Sequence, residues 1–237
     1  MALVTGSTSG IGEATARLFA AEGASVLVNS ASSVGPGEAL AAELPDAAYV
    51  QGDVSVEAQA AALVTSAVER WGRLDVLVNN AGTTVRIPHA DLGAVTDEVW
   101  RRILDVNVMG TWYVTRAAVP ALRAAGGGAI VNVTSLAGVR PTGSSIPYAV
   151  SKAALNHLTR LLAGVLGPDI RVNAVAPGLV DTPWTAGWDD VREAVRRRAP
   201  LGRSAVPADV AQACLSMAVA GFVTGQVLVV DGGMGLR

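Results

Sequence analysis

The chain has 237 residues, 51% of them hydrophobic and 16% charged, and its formal net charge is -2. These values predict one globular α/β domain over residues 1–237, and the small negative charge excludes the broad positive field that attracts nucleic acid. No apolar run reaches the roughly 18 residues that a membrane-spanning helix needs, so we expect no membrane partner. Because the first strand is predicted from Ala2, no room is left for a signal peptide, and we expect a cytoplasmic protein.

Short segments rich in Val, Leu and Ile alternate with longer amphipathic segments, as in repeated βαβ units around a parallel sheet. We predict seven strands at 2–5, 25–29, 47–51, 74–79, 129–134, 171–176 and 226–230. We predict helices at 11–22, 37–44, 57–71, 97–125, 148–166 and 208–218. The loop stretches 81–95, 136–147 and 178–207 each follow a strand, where functional loops of an open α/β sheet lie. The fold class is therefore α/β, a doubly wound parallel sheet with helices on both faces.

A glycine-rich turn, TGSTSGIG, follows the first predicted strand. Gly6, Gly10 and Gly12 lie where the strand gives way to a helix, so a pyrophosphate could approach backbone N–H groups that no Cβ shields. Glycines at strand ends also form ordinary tight turns, and the turn by itself leaves both interpretations open. It does exclude a Walker loop, because Glu13 stands where that motif needs lysine, and a hydrolase elbow, because it contains no GxSxG.

The second predicted strand ends in the sequence NSASS, without the Asp or Glu that would hold the ribose hydroxyls of NAD. No arginine is present to pair with the 2′-phosphate of NADP either, since no basic residue occurs between Arg17 and Arg70. The missing carboxylate removes a repulsion of phosphate, and Ser30, Ser32 and Ser33 could donate hydroxyl hydrogen bonds to it. We therefore expect NADP, with NAD as the alternative.

Tyr148 and Lys152 are spaced i, i+4 at the start of a predicted helix, so both side chains lie on one face. Lys152 is also the only lysine among 18 basic residues. A free phenol has a pKa of about 10, and a neighbouring ammonium could lower it towards neutrality. Ser135 closes the fifth predicted strand and could hydrogen-bond a substrate oxygen. The alternative is an amphipathic helix with a solvated lysine and a core tyrosine.

Together these features resemble the short-chain dehydrogenase/reductase family in its single-domain form, over essentially the whole chain. The glycine turn is similar to the family's cofactor loop, and the sequence GDV at 52–54 resembles its adenine contact. NNAG at 79–82 resembles the family segment that borders the cofactor and steadies the sheet. Pro177-Gly178 and Thr182 resemble the segment that touches the nicotinamide carboxamide. The resemblance implies a Rossmann-like fold and an enzyme that moves a hydride between NAD(P) and a ketone or secondary alcohol.

The resemblance also implies the roles of individual residues. Tyr148 would be the acid/base, Ser135 would orient the substrate oxygen, Lys152 would bind the nicotinamide ribose, and Asn107 would hold a water that relays protons. The implied cofactor-binding residues are Gly6, Thr8, Ser9, Gly10, Ile11, Gly12, Ser30, Ser32, Asp53, Val54, Asn80, Ala81, Gly82, Tyr148, Lys152, Pro177, Gly178, Val180 and Thr182. A non-catalytic nucleotide-binding regulator of the same fold is the main alternative, and an isomerase or dehydratase with a permanent nicotinamide is another.

Two of these residues have ordinary structural alternatives. An asparagine within a helix is often on the surface, but the neighbouring Val106 and Val108 favour an inward-facing Asn107. Asp53 could merely cap the following helix, although Ser55 is the better placed N-cap residue.

Residues 179–206 are expected to cover the substrate. Trp184 and Trp188 suggest a moderately hydrophobic, cyclic or aromatic substrate, or they simply pack a lid helix onto the body. The arginine run at 196–198 is expected to be a solvated helix face.

No metal site is expected, because His89 and His157 lie far apart and the single cysteine, Cys214, is predicted to face the core. The resemblance implies a homotetramer that uses the helices around Asn107 and Tyr148 and the last strand, 226–230, as contacts.

Overall fold

The protein, described as a computed structural model over residues 1–236, is built around a seven-stranded parallel sheet in the order β3-β2-β1-β4-β5-β6-β7. The strands are β1 Ala2–Val4, β2 Val26–Ser30, β3 Ala47–Gln51, β4 Val76–Asn79, β5 Gly128–Val133, β6 Ile170–Pro177 and β7 Val227–Val230. Every neighbouring pair is parallel. The predicted doubly wound sheet is confirmed, and each strand begins and ends within two residues of its predicted bounds.

Helices connect the strands and cover both faces of the sheet. They are α1 Gly10–Ala21, α2 Val34–Glu43, α3 Glu57–Trp71, α4 Asp97–Leu104, α5 Thr111–Ala124, α6 Ile146–Leu166, α7 Asp189–Arg198 and α8 Pro207–Val219. Helix α2 begins three residues before its predicted start, because Pro36 lies in the first turn, where a missing N–H breaks no helical hydrogen bond. No helix in the part of the chain described is both long and apolar enough to cross a membrane.

The predicted long helix 97–125 is interrupted in its middle. Residues Asp105–Gly110 form a wider π-type turn between α4 and α5. A π turn holds an extra residue, so the side chains after it change direction relative to a regular helix. Asn107 lies in this turn and is fully buried, which confirms that it faces inward.

The sheet separates two apolar layers. In β1, Leu3 packs with residues of α3, α5 and α6, whereas Ala2 and Val4 pack with residues of α1 and α8. All three side chains are fully buried. Successive side chains of a strand point to opposite faces, so a strand covered on both sides is apolar throughout. Cys214 of α8 is also fully buried, as predicted.

Candidate active site

A cleft of about 1280 Å³ runs along the edge of the sheet where the parallel strands end. Its walls come from the glycine turn, the ends of β2 to β6, and the three predicted functional loops. The cleft brings together the whole set of cofactor-binding residues expected from the sequence, namely Gly6, Thr8, Ser9, Gly10, Ile11, Gly12, Ser30, Ser32, Asp53, Val54, Asn80, Ala81, Gly82, Tyr148, Lys152, Pro177, Gly178, Val180 and Thr182. Ser135 lines it as well, whereas Asn107 lies behind the wall.

The glycine turn packs tightly against the segment that follows β4. A Cβ on Gly12 would lie 2.4 Å from the carbonyl oxygen of Gly6 and 2.5 Å from Nδ2 of Asn80, so a larger residue cannot be accommodated there. Asn80 donates from Nδ2 to the carbonyls of Thr5 and Gly6, both at 2.9 Å. Helix α1 begins beside the cleft, and its N-cap residue Ser9 makes no side-chain capping bond. The free N–H groups there fit the pyrophosphate of a dinucleotide.

A chain of buried amides and hydroxyls braces the strands beneath the cleft. Asn79 donates from Nδ2 to Oγ1 of Thr115 at 3.0 Å and to Oδ1 of Asn132 at 2.9 Å. Asn132 in turn donates to Oγ1 of Thr159 at 2.9 Å. These bonds join β4 and β5 to α5 and α6, so they fix the strand ends that form the cleft floor.

The loop after β3 shows a different cap from the one predicted. Helix α3 begins at Glu57 with Val56 as its N-cap residue, so the assignment of Ser55 as the N-cap is wrong. Oδ1 of Asp53 instead accepts from the backbone N–H of Ser55 at 2.9 Å and from its hydroxyl at 2.7 Å. Such local bonds compete with helical capping, and here they tie the carboxylate into the turn. Asp53 still lines the cleft.

Tyr148 and Lys152 project from one face of α6 into the cleft. Helix α6 begins at Ile146, and the hydroxyl of its N-cap residue Ser145 accepts from the N–H of Tyr148 at 3.4 Å. Nζ of Lys152 lies 5.6 Å from the centre of the Tyr148 ring and donates to the carbonyl of Val133 at 2.9 Å. The helical spacing therefore places both groups at the end of β5.

The electrostatics of this pair differ from the expectation. Lys152 is only 3% exposed, and burial lowers its pKa to about 8. Burial also raises the pKa of the Tyr148 phenol above its usual value, while the neighbouring Ser135 hydroxyl acts in the opposite direction. In the protein alone the phenol is therefore less acidic than expected, because desolvation is the largest influence on its pKa.

Asn107 connects two walls of the cleft from behind. Its Oδ1 accepts from the N–H of Thr83 at 2.7 Å, and its Nδ2 donates to the Thr83 carbonyl at 3.1 Å and to Oγ of Ser151 at 2.9 Å. Ser151 donates to the carbonyl of Tyr148 at 2.7 Å. Both amide hydrogens are thus taken up by protein groups. The side chain holds the loop after β4 against α6. Ser151 belongs to this network, although it was not among the residues predicted from the sequence.

The stretch after β6 forms one side of the cleft. A short helical turn, Pro183–Thr185, places Trp184 edge-on to Tyr148, with ring centres 6.4 Å apart. Further along, the guanidinium of Arg86 lies 5.7 Å from the Trp188 ring and pairs with Asp190 of α7. The loop after β4 therefore contacts the predicted cover directly.

Helix α7 lies in the stretch 178–207 that was predicted as a loop, although the arginine run at its end was expected to be a helix face. Arg196 and Arg197 on this helix pair with Glu193 and are exposed, in keeping with a solvated face.

Within residues 1–236, no group of three or more His, Cys, Asp or Glu side chains is placed to hold a metal ion.

Comparison with known proteins identifies the family. The family model described as Enoyl-(Acyl carrier protein) reductase matches residues 6–235. A Streptomyces violaceoruber protein named as a ketoacyl reductase of the granaticin polyketide synthase is 60% identical over 98% of this chain and 95% of its own length. Cis-4-hydroxycyclohexanecarboxylate dehydrogenase of Sinomonas cyclohexanicum is 42% identical, over 98% of this chain and 95% of that protein.

A solved structure has the same fold throughout. The short-chain type dehydrogenase/reductase from Mycobacterium ulcerans superposes with a TM-score of 0.93 at 34% identity, covering 100% of this chain and 90% of the other. With the sheet, the glycine turn and the cleft already described, the chain belongs to the short-chain dehydrogenase/reductase family and is an NAD(P)-dependent oxidoreductase that interconverts ketones and secondary alcohols.

Proposed function

We propose that Tyr148 is the acid/base of this reaction and that Ser135 holds the substrate oxygen beside it. The observation that carries this proposal is that Ser135, just after β5, and Tyr148 line the same cleft together with Lys152. A bound dinucleotide supplies or accepts the hydride. The protein's own part is to orient the carbonyl oxygen and to move one proton at the Tyr148 hydroxyl.

The direction of the pKa shift indicates whether the Tyr148 phenol is protonated before the reaction begins. A phenol whose pKa is raised by burial is protonated near neutral pH, so it is ready to donate to a carbonyl that is being reduced. Oxidation of an alcohol requires the phenolate, which a nearby positive charge would favour. Nζ of Lys152, held by the Val133 carbonyl, lies 5.6 Å from the centre of the phenol ring, and we propose that it also binds the nicotinamide ribose.

We propose that Asn107 acts by positioning rather than by direct contact. Its side-chain amide bonds Thr83 on one side and Ser151 of α6 on the other. A water that relays protons would have to bind to an oxygen atom of Asn107, because both amide hydrogens already have protein partners.

NADP is the proposed cofactor, with NAD as the alternative. The support is the end of β2, where Ser30, Ser32 and Ser33 line the cleft and no carboxylate is present in the sequence NSASS. Hydroxyl groups donate to phosphate oxygens without repelling them, whereas a carboxylate would repel a 2′-phosphate.

We propose a hydrophobic, cyclic substrate, covered by a lid over residues 179–206. The lid side of the cleft offers a mainly apolar surface made of Leu179, Trp184, Trp188, Val191, Val195 and Met234. Trp184 is 48% exposed although it lies against Tyr148, so its ring is available to a ligand. The relative named for a cyclohexanecarboxylate dehydrogenase supports a ring-bearing substrate.

A reductase assay with a panel of ketones tests this proposal. We expect kcat/KM for a bicyclic ketone such as 1-tetralone to exceed that for acetone by at least about tenfold, because burying several carbons contributes roughly 1–3 kcal/mol. We also expect NADPH to support faster turnover than NADH. In the variant Trp184→Ala the advantage of the bicyclic ketone should shrink. Equal kcat/KM values for 1-tetralone and acetone would contradict the proposed substrate class.

We propose that the protein assembles as a homotetramer. Its cytoplasmic location stays a prediction. An exposed apolar stripe runs along α6 through Val150, Leu161 and Val165, which are 46%, 56% and 70% exposed. Leu228 and Val229 of β7, the edge strand, are also partly exposed. A contiguous exposed apolar surface of this kind is typical of an interface between subunits.

Light scattering should therefore find four copies of the 24.1 kDa chain in one particle, about 96 kDa. Replacing Val165 by Glu should break that particle into smaller species, because a carboxylate would be buried without a partner. The matched control is Val219→Glu, since Val219 is 68% exposed but lies at the end of α8. A wild-type particle of one chain mass would refute the tetramer.

A further inference from the structure

A pair of hydroxyl groups from neighbouring strands lies where β2 ends. Oγ of Ser30 and the hydroxyl of Tyr49 are 2.9 Å apart. Ser30 is the last residue of β2, is 7% exposed and lines the cleft. Tyr49 belongs to the edge strand β3 and is not among the cleft-lining residues. The Tyr49 hydroxyl is therefore linked to the cleft through Ser30.

Either hydroxyl could donate this hydrogen bond, and the other partners of the two groups favour Tyr49 as the donor. Oγ of Ser30 also accepts from the backbone N–H of Ser33 at 3.0 Å. Among residues 1–236, the Tyr49 hydroxyl has Ser30 as its one hydrogen-bond partner, so donation to Ser30 is the one way to satisfy its hydrogen within the described chain. The Ser30 oxygen then accepts two bonds, which is its full capacity. Its own hydrogen is left for an acceptor in the cleft.

We propose that Tyr49 is a specificity-determining positioning residue, which aims the Ser30 hydroxyl as a hydrogen-bond donor at the 2′-phosphate of NADP. This inference rests on the proposed cofactor. A phosphate offers only acceptor oxygens, so a hydroxyl whose acceptor positions are already filled by Tyr49 and Ser33 is matched to it. Accepting a bond also polarises a hydroxyl and strengthens the bond that it donates.

The Tyr49 ring is held in place by α2. A Cβ on Gly37 of α2 would lie 2.3 Å from both Cδ2 and Cε2 of the ring, so the ring occupies the space that only glycine leaves free. In addition, Asn29 donates from Nδ2 to the carbonyls of Val50 and Gly52 at 3.1 and 3.0 Å, which fixes the backbone of β2 against that of the chain after Tyr49. The phenol therefore has little freedom to leave Ser30.

The test measures dissociation constants of NADPH and NADH for the full chain by titration. We expect Tyr49→Phe to raise the Kd of NADPH about fivefold, the typical value of one neutral hydrogen bond, and to change that of NADH less than about twofold. The matched control is Tyr113→Phe, because the Tyr113 hydroxyl bonds no other residue in the described chain, and it should leave both constants unchanged. In a Ser30→Ala background, Tyr49→Phe should have no further effect.

A second variant moves the ring without removing its hydroxyl. Gly37→Ala introduces the Cβ that collides with Tyr49, and it should weaken NADPH binding selectively while its thermal unfolding stays cooperative. The inference is overturned if Tyr49→Phe and Ser30→Ala act additively, or if Tyr49→Phe weakens both cofactors equally. The proposed cofactor fails separately, when the wild-type protein binds NADH more tightly than NADPH.

Discussion

Replacing Tyr148 by Phe is expected to lower kcat about a thousandfold, or about 4 kcal/mol in the barrier, in both directions of the reaction. The phenol hydroxyl is the group proposed to exchange a proton with the substrate oxygen, and phenylalanine keeps the ring but cannot donate or accept one. The edge-on contact between this ring and Trp184 is retained. The Kd of the cofactor should change less than about threefold, because the glycine turn and the end of β2 are untouched.

Single-turnover rates and equilibrium titrations with NADPH separate these two effects. Tyr113→Phe is the matched control, since it removes a hydroxyl from α5, on the body of the protein, and should leave kcat unchanged. If Tyr148→Phe retains a tenth or more of the wild-type kcat, another group moves the proton, and the assignment of the acid/base is wrong. A parallel loss of cofactor binding would show instead that the ring supports the cleft.

Replacing Lys152 by Met is expected to stabilise the fold while it impairs function. Burial of the ammonium disfavours its charged form, which lowers its pKa from 10.5 to about 8. This shift corresponds to a cost on the order of 3 kcal/mol when the lysine is charged. Methionine removes that cost but leaves the Val133 carbonyl without its donor, so we expect a net gain of about 1–2 kcal/mol in the free energy of unfolding at pH 7.

The same substitution should change how stability depends on pH. Between pH 8 and 10.5 the unfolded chain holds the Lys152 proton and the folded chain does not, so the free energy of unfolding of the wild type rises with pH through this window. The Met variant lacks this rise. Denaturant titrations at pH 7 and pH 10 should show the stability advantage of the variant shrinking at the higher pH. A constant difference between the two proteins would contradict the lowered pKa.

In contrast to stability, cofactor binding and alcohol oxidation should be weakened in the Met variant. Without the ammonium we expect the Kd of the cofactor to rise about tenfold, and alcohol oxidation to require a higher pH, because no cation near the phenol favours the phenolate. Such a trade between stability and activity is typical of buried charges at active sites. An unchanged pH profile of oxidation would count against the proposed role of Lys152, even if the fold is stabilised.

Much of the fold and site was predictable because the signals are local. Apolar runs of β-strand length, separated by helical periodicity, predict seven parallel strands, and the structure has all seven. The i, i+4 spacing of Tyr148 and Lys152 is enough to place both on one face of a helix. The glycines of the turn can be recognised because a close backbone approach leaves few alternatives to glycine.

Other features could not be predicted, because they depend on contacts between residues distant in sequence. The alternation of apolar residues continues through the helical stretch 97–125, so nothing in it indicates the π turn that buries Asn107 against Thr83 and Ser151. The position of helix α7 likewise depends on contacts between residues distant in sequence, such as that between Asp190 and Arg86.

The sequence by itself determined the order of the strands and helices, the glycine turn and the identity of the family, since these follow from spacing along the chain. Only the tertiary structure decided the electrostatics and the partners of the site: Lys152 is turned to the Val133 carbonyl, and the Tyr148 phenol is less acidic than its neighbour suggested. The physical reason is burial. Desolvation and hydrogen-bond direction depend on which atoms surround a group in space, and spacing along the chain does not report them.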